Sequence, residues 1–577
     1  MYRSFARTLV LSCVAGALST SARAQATTLR VSVSSSAAQG SGYSAAPAIS
    51  SNGRFCAFES SSDLVASDTN GSTDVYLRDS VTGLVVRASV GAAGAQANQI
   101  CLRPSVSSDG RYVAFDSLAN NLATPDNNHV IDVFVRDTQT GTTTRVSVDS
   151  NGAEGNSSSP APAISADGRY VAFSSGATNL VAGDTNLIDD VFVHDMQSGA
   201  TTRVSVSSNG DEGDDLSETP VISGDGRFVA FHSYASTLVA GDTNARADIF
   251  VHDRTNATTT RASVDSNGVQ GNQQCGYSCA LSADGRFVAF TSQSTNLVVG
   301  DTNGVGDMFL RDIQGATTTR INVSSSGAQA NMRALWPAIS SDGRFVVFVS
   351  PATNLVPGDA NAKDDVFVRD VLAGTTELVS VDSNNAQANE DSGFPMVSMD
   401  GRYVAFASAA SNLVAGDTNG AVDIFVRDRG IVCSSLVYCT AGTTTSGCVP
   451  SIQDNGVPSS SAASGFTISV TAVEGQRIGL ILYGLASQAT PWGNGGTSYL
   501  CVAAPRQRTG STSTGGTLMQ CDGLLSVDWN AWRAANPNAL GSPFSPGETC
   551  FAQGWFRDSG APKGTNLSNA LRFTLCN

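Results

Sequence analysis

Acidic and amide side chains recur along this chain at a spacing that suits a hard cation. The string D-x-N-x-x-x-D starts at Asp68, Asp126, Asp184, Asp242, Asp301, Asp359 and Asp417. Oxygen donors at alternate positions are the chemistry of Ca²⁺ binding. The candidate calcium ligands are Asp68, Asn70, Asp74, Asp184, Asn186, Asp190, Asp301, Asn303, Asp307, Asp417, Asn419 and Asp423. An EF-hand is excluded by reach. From the second Asp onward the sequence is a strand, as in Asp190-Val191-Phe192-Val193-His194-Asp195. Five steps of extended chain cover roughly 17 Å, so a twelfth-position acid such as Asp79 or Asp137 cannot return to the ion. Arg246 and Lys363 also stand inside two of the loops, where they repel a cation. The competing reading is an Asx turn that fixes entry into the strand, with no metal ion or other cofactor. Calcium in another geometry stays open beside it.

The search for an active site gives less. Gly276-Tyr277-Ser278-Cys279-Ala280 approximates a nucleophile elbow, but it leads into a strand rather than a helix. His194 and His252 take the place of Arg in the DVFVRD run, which assigns them a structural role. Glycoside hydrolysis needs two carboxylates flanking a sugar, and seven equivalent loops offer no unique pair. No phosphate-cradling or dinucleotide fingerprint occurs. The expectation is a binding protein without catalytic residues. The alternative, a hydrolase or lyase, requires His, Arg and carboxylates from several repeats to meet around one pocket.

The elements that carry these loops repeat about every 58 residues. A turn of the form [DN]GR recurs at Asn52, Asp109, Asp167, Asp225, Asp284, Asp342 and Asp400, in step with seven DVFVRD-type strands. Each unit reads as four strands. Asp-Gly supplies the positive φ of a tight hairpin. Tyr170-Val171-Ala172-Phe173 is apolar on both faces, and Thr202-Arg203-Val204-Ser205-Val206 alternates as a half-exposed outer strand does. Sheets buried on both faces and repeated radially make a propeller. The segment Thr27–Val33 has the outer-strand pattern with no repeat before it, and the seventh repeat lacks that strand. The reading is all-β: a seven-bladed β-propeller closed by an N-terminal strand, which removes two sheet edges. The P-x-[IVL]-S-x-D-G-R-[FY] core and the D-[VIM]-[FY]-[VL]-[RH]-D strand resemble the TolB-type, WD-like propeller repeat. That resemblance implies protein or ligand binding in the periplasm or outside the cell.

The 577 residues divide into a signal peptide at 1–24, the propeller at 25–430 and a cysteine-rich domain at 431–577. Arg3 and Arg7, a short apolar run and Ala22-Arg23-Ala24 have the form of a secretory signal. The expected location is secreted or periplasmic, where disulfides persist. The net charge of −16 argues against nucleic acid, and nothing in the sequence reads as a membrane span. The expected partner of this monomer is a protein or polysaccharide. Acidic loops on one face and [DN]GR arginines on the other suggest a polarised disc. The last domain reads as a small disulfide-containing β-sandwich. Its Trp492, Trp529, Trp532 and Trp555 suit either core packing or stacking on sugar rings.

Overall fold

The computed structural model describes residues 26–575, apart from positions 125, 431–434, 440, 457, 493–497, 543, 545–547 and 562. The signal segment, Cys433 and Cys576 lie outside the described residues. The chain forms two compact units, Ala26–Val432 and the unit beginning at Cys433. No helix among the described residues is long and apolar enough to cross a membrane.

The first unit is a succession of four-stranded antiparallel sheets, the architecture of a β-propeller. The fourth repeat is representative. Ser217–Ile222, Phe228–Ser233, Asp248–Asp253 and Thr258–Arg261 pair in that order. Its two middle strands are buried on both faces because apolar residues run without alternation. Phe231 opposes Phe250, and their rings stack 6.0 Å apart. The same aromatic pair recurs at Phe173–Phe192 and Phe406–Phe425. The turn glycine does two jobs. Gly110 sits at φ 76°, and a Cβ there would strike the ring of Phe55 in the preceding repeat. Gly53, in the first repeat, abuts Tyr403 of the seventh in the same way.

Backbone hydrogen bonds link these turns in a cycle. Ser51 N–H donates to Ser108 O, Ser108 to Ala166, Ala166 to Gly224 and Gly224 to Ala283. Ala283 donates to Ser341, Ser341 to Met399, and Met399 back to Ser51 at 2.9 Å. The strand Thr27–Arg30 pairs antiparallel with Asp423–Asp428, Leu29 opposite Val426. Ser32 Oγ fixes that register by donating to Asp423 Oδ1 at 2.5 Å.

The second unit is also mostly β. Ser435–Tyr438, Thr565–Thr574, Thr549–Arg557, Ile478–Gly484 and Arg506–Arg508 pair in that order, with Thr512–Ser513 also on Ile478–Gly484. A second sheet joins Ser451–Gly456, Phe466–Val473 and Gly523–Asp528. One core includes Phe466, Ile468, Ile481, Tyr483, Trp529 and Phe573. Disulfides join Cys439 to Cys501 and Cys448 to Cys521. A short helix, Trp529–Ala535, has no counterpart in the sequence reading; Asp528 caps it by accepting from Ala531 N–H at 2.9 Å.

Candidate functional site

The acidic loops form Asx turns. Asn70 Oδ1 accepts from Ser72 N–H at 2.9 Å, and its Nδ2 donates to Asp74 at 2.9 Å. Asn186, Asn303 and Asn419 make the same bonds, their Nδ2 groups donating to Asp190, Asp307 and Asp423. The surplus negative charge is met from the outer strand. Arg87 Nη1 lies 3.0 Å from Asp68 and 3.4 Å from Asp74. Arg320 is 3.4 and 3.3 Å from Asp301 and Asp307, and Arg30 is 3.0 and 3.1 Å from Asp417 and Asp423. Asp184, Asp190 and Glu212 come close enough together to hold an ion, and Arg203 sits among them, 2.6 Å from Glu212. Burial, then the Asp190 charge, pushes the Asp184 carboxyl up to about 6. A calcium ion in any of these four loops has to displace a guanidinium held between the carboxylates.

The sixth repeat departs from this plan. Leu378 stands where the others have Arg, opposite Phe367 as Arg203 is opposite Phe192. Gln387 Nε2 bridges the gap, donating to Asp359 and Asp365 at 2.8 Å each. Burial pushes the Asp365 carboxyl up to about 6.

The [DN]GR arginines are neutralised as well, which corrects the expected polarised disc. Arg169 grips Asp195 with Nε at 2.9 Å and Nη2 at 2.7 Å. Arg54–Asp79, Arg111–Asp137 and Arg227–Asp253 repeat this fork. The twelfth-position acids therefore serve the turns. Arginine beside Asp79, Asp137 and Asp195 holds their carboxyls well below the usual range.

The side chains that differ between repeats meet elsewhere, around a cavity of about 400 Å³ lined by the innermost strand of every repeat. One position, directly before a proline in six repeats, carries Ala46, Arg103, Ala161, Thr219, Ser278, Trp336 and Phe394. Six of these residues have φ between 46 and 58°. Left-handed backbone at non-glycine residues is strained, and proline removes the next ladder donor. Pairing slips at this point, for instance between Leu102 and Ser105 and between Leu335 and Ala338. Bulges of this kind re-aim side chains. In three repeats the preceding one holds the freed N–H: Glu59 accepts from Arg103 at 2.9 Å, Asp116 from Ala161 at 3.0 Å, and Ser174 Oγ from Thr219 at 3.0 Å.

The lining has two characters. Trp336 and Phe394 stack with ring centroids 4.5 Å apart, and Phe394 is 46% exposed. The polar side centres on Arg103, whose Nε donates to Asp116 at 2.6 Å. Its terminal amino groups make no hydrogen bond among the described residues. Burial raises the carboxyls of both Glu59 and Asp116.

No family model matches this chain, and none of the curated proteins does. Solved structures do. A TolB-type protein from Agrobacterium tumefaciens is 16% identical, covering 48% of this chain and 80% of its own, at a TM-score of 0.31. An oligogalacturonate lyase in complex with manganese is 11% identical, covering 70% of this chain and 94% of its own, at 0.43. The β-propeller domain of Cps50 (Swd1) from Myceliophteria thermophila is 11% identical, covering 67% and 96%, at 0.34. These likenesses concern fold alone.

The remaining candidates fall into structural places. His194 Nδ1 is 2.9 Å from Thr201 Oγ1, the slot in which Arg369 Nη1 donates to Thr376 at 3.0 Å. His252 does the same with Thr259. Burial lowers the pKa of both imidazoles. His232, which the sequence reading passed over, is fully buried, 3.6 Å from Glu218 and edge-on to Tyr234. Ser278 lines the cavity inside the strand Cys275–Leu281, with no helix after it. The column before the proline varies across the aligned repeats, but so does the column of Glu59, Asp116, Ser174, His232, Thr291, Val349 and Ala407, so variation alone does not mark the cavity residues.

Proposed function

We propose that this is a secreted or periplasmic binding protein, a seven-bladed propeller closed by its N-terminal strand. Its channel mouth takes one end of a peptide or glycan that has an apolar face and an anionic group. One observation carries this reading: the channel column is aromatic at Trp336 and Phe394 and cationic at Arg103, whereas the arginines of the turns and outer strands, such as Arg169 and Arg203, are paired with Asp. A stacked aromatic pair offers an apolar platform, and a half-exposed guanidinium recognises a carboxylate through its free amino groups. The two disulfides fit an oxidising compartment. Binding of the full chain to matched peptide and oligosaccharide panels, with and without a terminal carboxylate, tests it. Carboxylated members should bind more tightly, and Arg103→Gln should erase the difference among the peptides. Equal binding of both sets by wild type rejects the reading.

A hydrolase or lyase is the second reading. It rests on Glu59 and Asp116, two carboxyls held up by burial on either side of Arg103. Turnover of any panel glycan or peptide that is lost in both Glu59→Gln and Asp116→Asn would favour it.

A further inference from the structure

The cysteine-rich unit contains a second built cavity, of about 260 Å³, between a sheet face and the hairpin Ser487–Pro491/Tyr499–Val502. Its lining includes Leu480, Leu482, Trp492, Arg506, Arg508 and Trp555. Strand register explains the grouping. Leu480 is opposite Trp555, Leu482 is opposite Arg508, and Gly484 is opposite Arg506, so alternate positions put these side chains on one face. The hairpin wall is pinned from below. The fully buried Gln553 accepts from Cys501 N–H at 3.0 Å and donates to Tyr499 O at 2.7 Å. The Cys439–Cys501 disulfide anchors the same strand. Trp492 is held by its indole N–H, which donates to Thr565 Oγ1 at 3.1 Å, while Lys563 Nζ lies 4.1 Å from its ring centroid.

The charge at this cavity is unlike that of the chain. The residues from Cys433 onward carry seven Lys or Arg and six Asp or Glu, against a chain net charge of −16. Elsewhere in the unit the acids have occupations: Glu474 pairs with Arg477, Asp528 caps the helix, and Asp558 holds Thr445. Arg506 and Arg508 are exposed, and neither makes an ion pair or side-chain hydrogen bond among the described residues. Two guanidiniums two residues apart on one strand face, beside two indoles, ask for a ligand with a carboxylate and a flat apolar face. A guanidinium binds carboxylate through paired donors, and an indole covers the C–H face of a pyranose. A cavity this small holds one ring rather than a chain.

We propose that this cavity binds a carboxylated sugar, a hexuronate residue of an acidic glycan. The site is independent of the propeller channel. The test is calorimetric titration of the full chain with a hexuronate trisaccharide, the matching neutral hexose trisaccharide and an acidic tripeptide. Wild type should bind the hexuronate at least tenfold more tightly than either alternative. Arg506→Gln/Arg508→Gln should lose at least tenfold in affinity, while Arg557→Gln, exposed and outside the cavity lining, leaves it unchanged. Arg508→Lys, which keeps the charge and loses the fork, should bind several-fold more weakly; it serves if the double variant does not fold. The proposal is overturned if the neutral sugar or the peptide binds as well as the hexuronate. It is equally overturned if hexuronate binding is absent, survives both arginine variants, or falls as far in Arg557→Gln.

Discussion

The loops at the rim of the propeller and the strands at its channel descend from the same repeat, yet they vary in opposite ways. At the rim, two carboxylates, an amide and an arginine recur in almost the same geometry, with Arg203 and Arg320 each bridging an Asp pair. At the channel, the equivalent position runs from Ala46 through Arg103 to Trp336 and Phe394. The difference has an energetic cause. A buried carboxylate without a counter-charge is expensive, so the rim tolerates little change. A side chain facing the cavity meets few neighbours, so it is free to differ. The invariant part holds the scaffold and the variable part is available for recognition.

The largest expected effect comes from breaking a rim. Arg203→Leu leaves Asp184, Asp190 and Glu212 without their cation, and removing one partner of a buried pair costs about 3–5 kcal/mol. Denaturant midpoints measure this, and a loss near zero would break the comparison.

The sixth repeat supplies the reverse experiment. Leu378→Arg should restore the missing guanidinium and stabilise by about 1–2 kcal/mol at neutral pH. It should also change the pH profile. The Asp365 carboxyl is raised to about 6, so its contribution to stability is full below the unfolded value of about 4 and is lost as pH rises through 6. Relative to Leu378→Arg, wild type should therefore lose stability between pH 4 and 6. Parallel profiles for the two proteins would show that Leu378 is not the cause.

Much of this was legible in the sequence. The in-step turns and DVFVRD strands gave the repeating sheets, and the Asp-x-Asn spacing gave the turn loops. The outer-strand arginine escaped notice because its partners lie 13 residues back across a strand turn, as Arg203 does from Asp190. The channel column was hidden by a related cause. Its meaning depends on left-handed backbone at Arg103 and Trp336, which no propensity assigns to those residue types. The helix Trp529–Ala535 is too short for a periodic signal and is made by its Asp528 cap and its packing on Tyr483.

The smallest expected effect concerns calcium. With Arg87, Arg203, Arg320 and Arg30 inside the four candidate loops, EDTA or added Ca²⁺ should shift the melting temperature by less than about 1 °C, far below the shift expected of a bound ion in excess. A rise of several degrees with Ca²⁺ that disappears in Asp184→Asn would show that an ion competes with the guanidinium.

The division between scaffold and channel is tested most directly by one paired measurement. Wild type, Phe394→Ala, Arg103→Gln and Arg203→Leu are compared for binding to the strongest peptide of the panel and for denaturant midpoint on the same samples. The account predicts that Phe394→Ala and Arg103→Gln each lose at least tenfold in affinity; Phe394→Ala, half-exposed at the cavity, stays within about 1 kcal/mol of wild-type stability, while Arg103→Gln also loses stability because it strands the buried Asp116. Undiminished binding by both channel variants, with affinity falling only in step with the stability of Arg203→Leu, would contradict it.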